Sequence, residues 1–125
     1  MNRYIQEVLD AHVVIENWLS QGEGSIETLM LRFSAEFTMI PTSGIRMGHQ
    51  EVRAFFKNAR ARRPGLKIVV DSAALLAEWH DGAAVEYRET QYLPGKEKSV
   101  RWSTVIFRLQ EEKVIWLRLH ETAQG

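Results

Sequence analysis

Apolar and polar residues alternate through RWSTVIFRLQEEKVIWLRLHET, residues 101–122, as two strands joined by a polar turn at 110–113 would. Closing that turn sets Leu109 opposite Val114 and predicts Ile106 opposite Leu117, Thr104 opposite Leu119 and Trp102 opposite Glu121. The expected hairpin has one apolar face that ends in a carboxylate. Its other face would carry Arg101, Ser103, Val105, Phe107, Trp116, Arg118, His120 and Thr122.

Upstream the period changes. Between residues 4 and 19, Ile5, Val8, Leu9, Ile15 and Leu19 recur at helical spacing, and His12 falls on the same stripe. After a break at 21–24, Ser25 is a good N-cap, and Glu27 suits the first turn of a short helix over 26–33. Residues 36–40 read as a strand stopped by Pro41, and 45–47 as a very short one. The span 49–62 places Val52, Phe55, Phe56 and Ala59 on one helical side before Pro64-Gly65. Four further runs, 66–79, 83–93, 100–109 and 114–121, are separated by Asp81-Gly82, Pro94-Gly95 and the 110–113 turn, which predicts an antiparallel meander.

A chain of 125 residues has room for one domain, expected to span 1–125, around one core. Sixteen basic residues balance sixteen acidic ones, so no overall field draws the protein to nucleic acid or to an anionic membrane. The Arg60, Arg62, Arg63 cluster reads as a solvated helix end, because neither a glycine-rich cradle nor stacking aromatics accompany it. The absence of cysteine removes disulfides and thiolate chemistry. With no signal-like or membrane-spanning segment in the sequence, a cytoplasmic location is expected.

A short connection at Pro94-Gly95 predicts that Val85, Tyr87, Glu89 and Gln91 share a face with Trp102, Thr104 and Ile106, and through the last hairpin with Leu119 and Glu121. Apolar groups then give way to polar ones toward one end, the usual make-up of a small-molecule pocket. Should Glu89 and Glu121 meet in a partly dry cavity, repulsion and desolvation would hold one of them protonated beside a charged partner. The plainer reading has each accept hydrogen bonds and close the mouth of the cavity. Phe107 and Trp116 on the opposite face would suit a contact between subunits.

The order of these elements, together with FTMI, SGIRMGHQEVRAFF, RWSTVIF and WLRLHET, resembles the nuclear-transport-factor-2-like superfamily across nearly the whole chain. Within it the chain looks like the SnoaL-like and ketosteroid-isomerase-like proteins, near the calcium/calmodulin kinase association domain. The resemblance implies an α+β, cystatin-like fold, with a curved antiparallel sheet wrapped as a cone around N-terminal helices. It also implies a cavity inside the cone and commonly a homodimer through the sheet's outer side. Family enzymes place an acidic base in the cone, a position that Glu89 and Glu121 can occupy here, with Tyr87 as a phenol donor. A complete counterpart of the ketosteroid isomerase site is not readable, and fold alone does not give function.

The four histidines are too scattered to suggest a metal site, no cofactor fingerprint occurs, and no nucleophile turn supports a Ser103/His120 hydrolase. The expected protein is a homodimer that binds a small, largely apolar molecule with a polar end and engages neither nucleic acid nor membrane. Glu89, Glu121 and Tyr87 are the candidate catalytic residues; Gln91, Trp102, Thr104, His12 and Met39 are candidate ligand contacts. The chemistry would be a cofactor-free isomerase, lyase or hydrolase step, and the alternative is a non-enzymatic association or ligand-sensing module.

Overall fold

The computed structural model describes residues 2–125. Asn2 opens the first helix, its side-chain oxygen accepting from the Tyr4 and Ile5 N–H groups, and α1 runs over Arg3–Gln21 to a left-handed Gly22 that closes it. Ser25 caps α2, Ile26–Met30, as its sequence suggests. That helix is shorter than the apolar pattern predicts, because Phe33 leaves it to begin strand β1, Phe33–Ile40, and packs its ring 4.8 Å from that of Phe37. The two-residue strand β2, Met47–Gly48, leads into α3, His49–Ala59, where Glu51 accepts from the Gly48 N–H.

Helix α3 also ends early. Arg60 turns extended and the Ala61 and Arg63 N–H groups donate to the Trp18 and Leu19 carbonyls, which satisfies acceptors in the last turn of α1. A tertiary tie therefore overrides the helical pattern of 60–62. The remaining strands, β3 (Lys67–Trp79), β4 (Gly82–Tyr92), β5 (Ser99–Gln110) and β6 (Lys113–Ala123), form the expected meander. Strand β1 joins it in parallel beside β6, giving a six-stranded sheet of order β2-β1-β6-β5-β4-β3. The protein is thus α+β, with a curved, unclosed sheet and N-terminal helices.

Two departures from the expected register decide which side chains face inward. At 93–96 a turn does form, with Gly95 left-handed and the Lys96 N–H bonded to the Leu93 carbonyl. A Pro-Gly turn of this hand fits the strand twist poorly, and ladder pairing resumes only at Gln91 opposite Ser99. Odd residues of β4 consequently oppose odd residues of β5. In the last hairpin Glu111 and Glu112 are both left-handed and Leu109 does oppose Val114. Beyond Phe107 opposite Trp116, however, the ladder skips Leu117, so Ile106 meets Arg118, Thr104 meets His120 and Trp102 meets Thr122.

The core reflects this register. Tyr4, Phe107 and Trp116 are buried, with Tyr4 stacked on Phe107 at 5.9 Å and Phe107 edge-on to Trp116 at 4.9 Å. Phe107, Trp116, Ser103 and Val105 thus belong to the inner face and not to the outer one. Trp102 and Thr104 lie on the outside, in a shallow groove with Glu86, Ile106, Arg118 and His120. Among the described residues no helix is long and apolar enough to cross a membrane.

Candidate functional site

On the inner face, β4, β5 and β6 set three cross-strand rows side by side. The deepest is Val85, Val105 and Leu119; the next is Tyr87, Ser103 and Glu121; the outermost is Glu89, Arg101 and Ala123. Polarity therefore rises in steps from the core toward one end of the sheet. Helix α1 lies over these rows and contributes His12, whose exposure is 7%.

A cavity of about 310 Å³ opens against the rows. Its apolar wall comes from Ile15 and Leu19 of α1, Phe33 and Met39 of β1, Val52, Phe55 and Phe56 of α3, and Trp116 and Leu119 of β6. The polar wall consists of His12, Tyr87, Glu89, Gln91, Arg101 and Glu121, with Arg63 contributed by the segment after α3. Small-ligand sites share this construction, an apolar body with a few convergent polar groups.

His12 and Glu89 are locked together. The imidazole Nδ1–H donates to the Val8 carbonyl at 2.7 Å, and Nε2 lies 3.1 Å from Glu89 Oε1. The other carboxylate oxygen, Oε2, accepts from Gln91 Nε2 at 2.7 Å. Burial opposes the imidazolium, but the Glu89 hydrogen bond and charge, with help from the Val8 carbonyl and Glu121, outweigh it and raise the His12 pKa. Burial opposes the Glu89 carboxylate in turn; His12, Gln91 and Arg101 overcome it and hold that carboxyl below its usual range. Both shifts favour the imidazolium–carboxylate form of the pair.

Glu121 is held differently. Burial pushes its pKa up, and the Glu89 charge adds to this against the opposing pull of Arg101 and His12. Its nearest cation, Arg101 Nη1, stands 3.5 Å from Oε1. A buried and a largely buried carboxyl thus share one site with their proton affinities driven apart, the kind of pairing that suits acid–base chemistry. Tyr87, fully buried edge-on to His12 at 5.2 Å, is pushed well upward by burial and by the Glu89 and Glu121 charges, so its phenol stays a donor. The Tyr87 hydroxyl, Ser103 Oγ and Arg101 Nε are buried polar atoms without a well-formed hydrogen bond, although Tyr87 and Ser103, neighbours across the strands, stand close enough for a weak one. All three belong to the two polar rows.

The structure brings Glu89, Glu121, Tyr87, Gln91, His12 and Met39 to one cavity and leaves Trp102 and Thr104 out of it. Trp102 instead donates to Gln124 Oε1 and lies beneath the Arg88 guanidinium. Sequence reasoning missed Arg101 and Arg63. Arg101 becomes predictable only once the cross-strand partner of Glu89 is known, and Arg63 only once the chain after α3 is seen to fold back on α1. Among the described residues no cluster of three or more potential ligands is placed to hold a metal ion.

No family model and no curated protein matches the chain. Solved structures do. An NTF2-like protein of unknown function from Pseudomonas aeruginosa is 34% identical, with 98% of each chain covered and a TM-score of 0.93. The association domain of CaMKII from C. elegans is 12% identical over 94% of this chain and 91% of that one, with a TM-score of 0.75. A proposed dehydratase of the NTF2-like family from Streptomyces avermitilis is 13% identical over 98% and 97%, with a TM-score of 0.74. The last two likenesses establish shared fold alone.

Proposed function

Since the chain belongs to the NTF2-like family, whose members differ in what they do, we propose from its own site that it binds a small, largely apolar molecule with a polar end. Glu121 then acts as the acid–base group of a cofactor-free isomerase, lyase or hydrolase step, and Tyr87 donates to a substrate oxygen. One observation carries this reading: an apolar cavity ends in two largely buried carboxyls of opposed proton affinity beside a phenol held at most weakly by Ser103. Glu89 is less suited to proton transfer, because His12 and Gln91 already occupy both its oxygens. Its part is to hold His12 and fix the local charge.

Carbonyl, epoxide and polyketide-like compounds are the substrates to screen. With a turned-over compound in hand, Glu121→Gln is expected to lower kcat by roughly 10²–10⁴-fold while binding persists. Ligands that bind wild type without any product appearing would make the protein a sensing module.

A homodimer belongs to the same proposal. Leu75, Leu76 and Trp79 are exposed on the edge strand β3, and Trp102 and Ile106 line the outer groove. An apolar surface of this kind favours contact with a second copy.

A further inference from the structure

The head group of the ligand can be narrowed by charge, and this step rests on the cavity reading above. Five side chains that carry charge line the cavity: His12, Arg63 and Arg101 against Glu89 and Glu121. Glu89 is matched by His12 at 3.1 Å. That leaves two guanidinium groups facing one carboxyl, and neither guanidinium is well bonded.

Arginine–carboxylate pairs at the more exposed arginines of the chain are loose, at 3.6–3.9 Å, whereas the less exposed Arg32 and Arg88 pair tightly. Arg32 Nη1 reaches both oxygens of Glu7 at 2.8 and 2.7 Å, and Arg88 grips Asp71 with two nitrogens at 2.8 and 3.0 Å. Arg101 is the least exposed of these arginines and is nevertheless loosely paired. A single nitrogen stands 3.5 Å from Glu121, and its Nε is buried with no acceptor at all. Arg63, whose side chain is exposed to solvent, has among the described residues only the Gln91 amide oxygen, at 3.3 Å, and is free to turn toward a ligand. A buried guanidinium nitrogen without an acceptor costs stability unless something else supplies one.

We propose that the site takes a monocarboxylic acid with an apolar body, its carboxylate bound by Arg101 and Arg63 at the outermost row and its body lying against Phe33, Phe56 and Leu119. A planar carboxylate offers two acceptors to a guanidinium fork, whose Nε has no other partner. A doubly charged head such as a phosphate would meet Glu89 and Glu121 at the same place, so one negative charge suits the site better. Tyr87 and Glu121, one row deeper, then face the first carbons of the bound acid.

Matched pairs that differ only in charge test this: 3-phenylpropanoate against 3-phenylpropanamide, and 1-naphthoate against 1-naphthamide, titrated calorimetrically into the wild-type protein near pH 6.5. Each acid is expected to bind at least about tenfold tighter than its amide, and Arg101→Gln to remove that preference while leaving amide affinity within roughly twofold. Arg101→Lys, which keeps a point charge without the fork, should retain part of the preference. Equal binding of acid and amide to wild type, or equal weakening of both by Arg101→Gln, would overturn the carboxylate assignment and leave the cavity reading intact. Failure of every probe to bind at millimolar concentration would overturn both.

Discussion

Under the proposed function, Glu121 is the residue at which folding and use of the site pull in opposite directions. Its folded pKa lies above its unfolded one, so the fold favours the neutral acid. That preference is satisfied below the unfolded pKa of about 4.3 and becomes a penalty as pH rises through the folded value. Glu121→Gln should therefore raise Tm at pH 7 to 8, by about 4 °C per kcal/mol relieved, with the gain gone near pH 4. A fall in Tm at pH 7 would mean that pairing with Arg101 outweighs the cost of burying the charge. For Glu89 the sign reverses, whereas His12, whose pKa is also raised, keeps the sign of Glu121. The Glu89 contribution is present above about pH 4.3 and is lost as pH falls through its lowered pKa. That of His12 is present below about pH 6.5 and is lost as pH rises through its raised pKa. Denaturation of His12→Ala between those limits should show a loss of roughly 3–5 kcal/mol, since Glu89 is left buried without its cation, whereas Glu89→Gln should cost only about 1–2 kcal/mol.

The elements show where a sequence pattern informs and where it fails. Every strand of the meander and all three helices are legible from apolar spacing and caps, because each depends on local chemistry. Face assignment is not local. The pairing of Glu89 with Arg101 depends on how many residues the 91–99 connection consumes, and the inward turn of Glu121 depends on the extra residue at Leu117. Neither leaves a mark in the alternation. The expected register errs at both places, and the two shifts cancel, so Glu89 and Glu121 still share a face while Trp102 and Thr104 fall on the wrong one. The last hairpin offers a direct check on the turn. Glu111 and Glu112 hold φ of 50° and 66°, a conformation that suits Asn-Gly better than two glutamates. Replacing them with Asn and Gly should stabilise the protein by about 1 kcal/mol, seen as a higher denaturant midpoint with an unchanged slope.

At the scale of the whole molecule the sheet leaves one long strand, β3, at its edge, irregular at Ser72 and half exposed along much of its length. If two copies meet through the outer surface, sedimentation velocity at micromolar concentration should give a dimer; a persistent monomer would remove the homodimer from the proposal. The link between helices has a consequence of another kind. Ala61 and Arg63 are fastened to the end of α1 through main-chain bonds, Arg60 Nε reaches the Gly22 carbonyl, and the Trp18 indole donates to Phe56. These ties join the end of α1, helix α3 and the base of Arg63 into one brace on that side of the cavity. The strand-to-strand passage from Pro41 to Arg46 lies on another side, and its internal bonds, Gly44 to Pro41 and Ile45 to Ser43, fasten it only to itself. Pro41 and Thr42 border the cavity there. The wall that carries Arg63 and the border that carries Pro41 and Thr42 are thus built from different parts of the chain, so a substitution within 43–45 can change how freely that border moves without loosening the brace.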